Sequence, residues 1–158
     1  MVKSNKKGFT LIELLVVIAI IGLLSTLAVV ALNSARQKSR DSKRVADMKQ
    51  IQTSLELYFA DSNGYPPAPG VNLGEAGATA LCSNGYTDSC SGTTYMGLVP
   101  KAPDPADGDC DDTTPGSDND YIYTQGTNGA DYSITFCIGG KVGDLVAGGR
   151  TANSAGIK

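Results

Sequence analysis

Residues 6–32, KKGFTLIELLVVIAIIGLLSTLAVVAL, constrain everything that follows them. From Phe9 to Leu32, nineteen of 24 residues are apolar and Glu13 is the one ionisable group. At 1.5 Å per helical residue the run is about 36 Å long, enough to span a hydrocarbon core of about 30 Å. A cleaved secretory signal has a shorter apolar region followed by a small-x-small site, so a membrane-spanning helix is the expectation. Glu13 lies about one helical turn into the run. A carboxylate near a bilayer centre costs a few kcal/mol, less toward an interface, and normally has a partner. Either Glu13 reaches the headgroups, or it pairs with a positive charge created close by.

Composition narrows the rest. Of 158 residues 41% are apolar, and removing the run leaves a thin supply for any soluble domain, roughly 34% of what remains. Cores of that size usually need disulfides, a metal or partner chains. The chain has no histidine and no tryptophan, which excludes a Ser/His/Asp triad, a Cys/His pair and a His-ligated zinc or haem. No G-x-S-x-G elbow is present, so an enzyme is not expected. The formal charge of −3 hides +6 over residues 1–50 and −9 over residues 51–158. A basic end on an acidic body argues against nucleic-acid binding and for a chain that sits across a boundary.

The junction Lys6-Lys7-Gly8-Phe9-Thr10-Leu11-Ile12-Glu13 and the helix behind it resemble the class III signal of type IV pilins and type II secretion pseudopilins. The resemblance covers residues 3–66 strongly and the remainder by architecture. It implies that a prepilin peptidase cuts after Gly8 and methylates Phe9. It further implies that Glu13 faces the Phe9 amine of a neighbouring subunit in a filament. The physics agrees, because cleavage creates a cation at the depth of the lone carboxylate, and opposite charges attract strongly in a low dielectric. Many members carry a proline midway along the apolar half, whereas here Gly22 is the only breaker and Val29-Val30 occupies that region. Lys3, Lys6 and Lys7 place the leader inside, but Arg36, Lys38, Arg40, Lys43 and Arg44 make the far flank basic too. Motif and cysteines together therefore orient the chain, with its carboxyl end outside.

Past Leu32 the helical pattern continues. Val45, Met48, Ile51, Leu55, Tyr58 and Phe59 make one apolar stripe, and Gly64-Tyr65-Pro66-Pro67 stops the helix. A helix from Phe9 to Ala60 would be about 78 Å long, apolar all round in its first half and amphipathic in its second. Arg36, Arg40 and Arg44 share a face, expected to meet anionic headgroups in the membrane and acidic groups of neighbours after assembly. Tyr132, Ile134, Phe136 and Ile138 alternate with Ser133, Thr135 and Cys137 as a half-buried strand. Asp120–Thr124 precedes it across a turn at Asn128-Gly129, and Gly139-Gly140 is expected to make a hairpin into a strand over 141–146. Thr93–Val99 is a further candidate strand.

Four cysteines allow three pairings. The favoured one is Cys82–Cys90 as a loop staple with Cys110–Cys137 as a tie from loop to sheet, in keeping with an oxidising exterior. Zinc would need four thiolates without a C-x-x-C pair. Asp107, Asp109, Asp111 and Asp118 fall at positions 1, 3, 5 and 12 of a calcium-loop spacing, and oxygen ligands suit Ca²⁺. Position 6 holds Asp112 in place of glycine, and no flanking helices are evident, so a solvated acidic loop is the plainer reading. Calcium gains weight because the resemblance to type II secretion pseudopilins implies it.

The expected fold is α+β and pilin-like: a long helix packed on a small antiparallel sheet with disulfide-stapled loops. It divides into a leader (1–8), a membrane and assembly half of the helix (9–32) and an amphipathic half (33–61). An irregular connecting region (62–119), the sheet (120–147) and a flexible tail (148–158) complete it. The expected function is a filament subunit, held in the bacterial cytoplasmic membrane with its head outside and then polymerised. Its implied partners are other subunits, the prepilin peptidase, an assembly platform and an ATPase. The alternative is a single-pass anchored binding domain, calcium-dependent or not, that never polymerises.

Overall fold

Helix α1 runs unbroken from Leu11 to Ser62 in the computed structural model, which describes residues 8–108, 110 and 119–158. Two compact units divide at Arg36 and Gln37. In the first, every described residue from Gly8 to Arg36 is exposed. In the second, α1 buries Asp41, Arg44, Asp47, Met48, Ile51, Ser54, Leu55 and Tyr58, the three-and-four spacing of one helical face. Val45 and Phe59 pack on its margin. Asn63 ends the helix in the left-handed region at φ 52°, its N–H donating to the Phe59 carbonyl at 2.8 Å.

The apolar half of that face lies in one core with a five-stranded antiparallel sheet. Naming strands in chain order, its order is β1 (Val71–Asn72), β5 (Ile122–Gln125), β6 (Tyr132–Ile138), β7 (Gly148–Asn153) and β8 (Gly156–Ile157). A three-stranded sheet has the order β3 (Gly85–Thr87), β2 (Ala80–Cys82), β4 (Thr94–Met96). Strand β6 is central and follows the predicted alternation, with Tyr132, Ile134, Phe136 and Ile138 all buried. Its turn from β5 uses Asn128 and Gly129, both at positive φ, and the Gly129 carbonyl accepts the Tyr65 N–H at 2.9 Å. The end of α1 is thereby sewn to the sheet.

The two disulfides are Cys82–Cys90, which closes the loop beyond β2, and Cys110–Cys137, which fixes the segment before residue 111 to β6. The α+β architecture of a long helix on antiparallel sheets, with both loops stapled, is as read from the sequence.

Three local expectations are corrected. The strand expected over 141–146 does not pair with β6. Val142 and Leu145 instead exchange both backbone hydrogen bonds at 3.0 Å around Gly143-Asp144, forming their own tight turn. The cause lies at Gly139, whose N–H is taken by Asp41 Oδ1 at 2.9 Å and whose Cα packs against Asp107 so closely that a side chain there would clash. The chain rejoins the sheet only at Gly148. Residues 148–158 accordingly do not fray: β7 pairs with β6 along its length, Ala152 is fully buried, and Thr151 and Lys158 exchange backbone hydrogen bonds. Residues 62–119 also carry β1 to β4, and the candidate strand around Thr94 joins the smaller sheet.

Candidate assembly site

The amino-terminal unit presents apolar surface on all sides. Sixteen large apolar side chains between Phe9 and Leu32 are each at least 47% exposed, and Phe9 is 90% exposed. Helix α1 is long and apolar enough there to cross a membrane, by length and composition. A soluble monomer rarely shows an apolar patch beyond a few hundred Å², so this surface requires lipid or protein around it.

The helix start is built by a reciprocal motif. The Thr10 hydroxyl accepts the Glu13 N–H at 3.2 Å, and Glu13 Oε2 accepts the Thr10 N–H at 2.8 Å and its hydroxyl at 2.8 Å. This is a capping box, signalled by Thr-x-x-Glu and not used in reading the sequence. It places Gly8-Phe9-Thr10 ahead of the regular helix, where all three residues are exposed. Glu13 Oε1 accepts no hydrogen bond among the described residues, which leaves one carboxylate oxygen for another partner.

The basic face of α1 behaves differently from expectation. Arg44 is fully buried. Its Nη1 donates to Asp41 Oδ1 at 2.9 Å and Asp107 Oδ2 at 3.1 Å, and its Nη2 to Asn119 Oδ1 at 2.8 Å and the Pro103 carbonyl at 3.0 Å. Arg40 donates Nε to Asp107 Oδ2 at 2.6 Å and Nη2 to Asp107 Oδ1. The acidic partners of Arg40 and Arg44 thus lie within this chain, not on neighbours or headgroups. Arg36 is exposed and has no carboxylate partner among the described residues. Arg40's hydrogen bonds hold the Asp107 carboxyl below the ordinary carboxylate range; burial opposes them and Arg44 adds to them. Asp47, farther along the buried face, is raised by burial, against which the Tyr121 hydroxyl donates at 3.0 Å.

Of the four proposed calcium ligands, Asp107 has both carboxylate oxygens occupied by guanidiniums, a setting that opposes a dication. Asp109, Asp111 and Asp118 lie outside the described residues. Among the described residues no cluster of acidic, Cys or His groups has metal-site geometry.

Comparison with known proteins places these features. Residues 3–29 match the family model for the prokaryotic N-terminal methylation motif. The chain is similar to the type II secretion system core protein G of Aeromonas hydrophila, 39% identical over 66 residues, which is 42% of this chain and 46% of that protein. It is similar to the type IV wide pilus major component of Thermus thermophilus, 43% identical over 61 residues, 39% of this chain and 47% of the relative. Over 92 residues it is 36% identical to the type IV major fimbrial protein FimA of Dichelobacter nodosus, 53% of this chain and 57% of that one. The chain matches between 40% and 53% of the length of the secretion-system relatives. No solved structure matches it.

The Arg40–Asp107–Arg44 cluster has a pH signature. With its folded pKa lowered from 3.8, Asp107 stabilises the fold fully above the unfolded value, and that contribution fades as pH falls through the folded one. Asp107→Asn is expected to cost on the order of 3 kcal/mol at neutral pH, about 10 °C in Tm. The gap between the two proteins should close in acid, because Asp47, which titrates with the opposite sign, is common to both. Thermal melts from pH 7 to pH 2.5 check this; a gap that stays constant removes the ion pair as its source.

Proposed function

We propose that the chain is a structural subunit of a type IV pilus-like or type II secretion pseudopilus filament. In this reading it waits in the cytoplasmic membrane with the head outside. It is cut after Gly8 and methylated on Phe9 by a prepilin peptidase, then polymerised by platform and ATPase machinery. The observation that carries it is a coincidence at the start of α1: an exposed Gly8–Phe9 junction, a lone carboxylate at Glu13, and uncovered apolar helix behind them. Neighbouring subunits cover that apolar surface as lipid does beforehand, and the new Phe9 amine supplies the charge that Glu13 lacks. Pairing the two in a low dielectric sets a fixed axial register between subunits.

The capping box favours a second reading specifically. Glu13 already has a structural partner in Thr10, which would suffice in a single-pass anchored domain that never polymerises. Charge separates the two readings, because glutamine also serves at the third position of a capping box. Glu13→Gln should keep the helix start, processing and membrane insertion yet assemble poorly, as should Glu13→Leu. Filament yield from Glu13→Gln equal to that of the unmodified chain would reduce Glu13 to a cap.

Processing is read by intact mass and amino-terminal sequencing from the native membrane. A chain beginning at methylated Phe9 is the expected result. One that retains residue 1 in cells with active prepilin peptidase would favour the anchored domain. Calcium belongs to this proposal only if Asp109, Asp111 and Asp118 hold the ion and Asp107 stays with its arginines. Millimolar Ca²⁺ should then raise the head's melting temperature, and an unchanged value removes the site.

A further inference from the structure

The described part of the head leaves three large apolar side chains more than half exposed, Leu57 at 54%, Leu98 at 80% and Val146 at 56%. They belong to two different surfaces. Leu57, with Tyr95 and Met96 of β4, lines a cleft of about 300 Å³. Leu98 follows two residues after that strand. Asp61, one turn along α1 from Leu57, accepts the Tyr95 hydroxyl at 2.8 Å and has no cationic partner among the described residues. That surface is an apolar cleft with a negative rim.

Val146 stands on the turn between β6 and β7. Arg150 shapes that turn, its Nε donating to the Val146 carbonyl at 2.9 Å and its Nη2 to the Ala147 carbonyl at 2.9 Å. Neither Arg150 nor the exposed Lys141 has a carboxylate partner among the described residues, and together they outnumber Asp144 at the tip. This second surface is an apolar knob with a positive rim. The cleft uses α1 positions Gln50, Thr53, Ser54 and Leu57, whereas Leu145, beside Val146, shares a cavity with Val45, Lys49 and Gln52. At 3.6 residues per turn the two sets lie about 120° apart around the helix.

We propose that the Val146 turn of one copy docks in the Leu57–Tyr95–Met96 cleft of the next, with Arg150 facing Asp61. The proposal rests on the filament reading above and names the contact between its heads. Joining two unlike patches is a heterologous contact: each addition leaves one free knob and one free cleft at the two ends, so the contact repeats along an open helical polymer. An apolar centre with opposite charges at the rim gives the contact both area and orientation.

Leu57→Cys combined with Val146→Cys tests this in the full chain, expressed with its assembly machinery. Both positions are exposed, and the native cysteines are all paired in disulfides. Mild oxidation of assembled filaments should give a ladder of disulfide-linked oligomers, absent from either single variant. If the double variant blocks assembly, the single variants coexpressed in excess unmodified subunits should give a dimer band from the same contact. Filaments formed from processed subunits without ladder or dimer would overturn the interface and leave the filament reading standing. Failure of the unmodified chain to be processed or to assemble would sink both.

Discussion

The Arg44 guanidinium has no contact with solvent, and the head is arranged around what it requires. Moving such a charge out of water costs several kcal/mol, returned only if opposite charge and hydrogen bonds surround it. Here Asp41 supplies a carboxylate from the preceding helical turn, and Asp107 supplies another from 63 residues away. Asn119 and the Pro103 carbonyl accept from Nη2, while Nε has no acceptor among the described residues. The segment on either side of residue 107 is therefore held to α1 by charge. The Cys110–Cys137 bond holds it to β6, and Asp41 Oδ1 also captures the end of β6 through the Gly139 N–H. Helix, loop and sheet meet at one polar cluster where an apolar core would be too small. Two guanidiniums against two carboxylates keep it neutral overall.

Helix α1 thus holds charge in two unlike ways. Within the head, Arg40 and Arg44 find their carboxylates inside the chain, and only Arg44 Nε and Asp41 Oδ2 of that cluster are buried without a hydrogen-bond partner among the described residues. At the amino-terminal end, Glu13 uses one oxygen to cap its own helix and keeps the other unassigned, in a stretch whose apolar side chains all face outward. A matched cluster gives rigidity; a half-matched carboxylate on uncovered apolar surface gives a demand for a partner. In an apolar surround that demand grows, because a carboxylate that loses water must recover the energy from a cation or a donor.

What the sequence disclosed depended on whether its evidence was local and periodic. Strand β6 alternates cleanly and α1 repeats its apolar positions every three to four residues, so both were legible, as was the α+β plan they imply. Strand β7 was not. Its sequence, Gly-Gly-Arg-Thr-Ala-Asn, has little β propensity, and its place is set by backbone pairing to β6 with Ala152 alone buried in the core. The Arg40–Arg44 pairing escaped for a different reason: a basic stripe at i, i+4, i+8 looks the same whether its acids lie on lipid, on a neighbour or 63 residues downstream. A clue was present, since Arg44 and Asp41 continue the Met48–Ile51–Leu55 face toward the amino terminus, and charged residues in register with a core stripe signal burial. The capping box was legible in principle from Thr10 and Glu13 alone.

The thin supply of aliphatic residues raises the question of what fills the head, and the answer is tyrosine. Tyr58, Tyr65, Tyr121, Tyr123 and Tyr132 are buried, and their rings meet in edge, tilted and stacked pairs running through Phe59, Tyr95 and Phe136. Tyrosine rings provide large buried area per residue, and each brings a hydroxyl that favours an acceptor; the buried Tyr132 hydroxyl has none among the described residues, whereas others do. Tyr121 donates to Asp47, Tyr123 to the Pro66 carbonyl, Tyr65 to Glu56 and Tyr95 to Asp61. Burial together with the Glu56 carboxylate pushes the Tyr65 hydroxyl up to about 12, so it stays protonated and donating across the physiological range. Three of these acceptors are carboxylates of α1, which explains why acidic residues recur along a helix whose opposite need is apolar packing. The acidic composition of the head is in part the acceptor set of a tyrosine core.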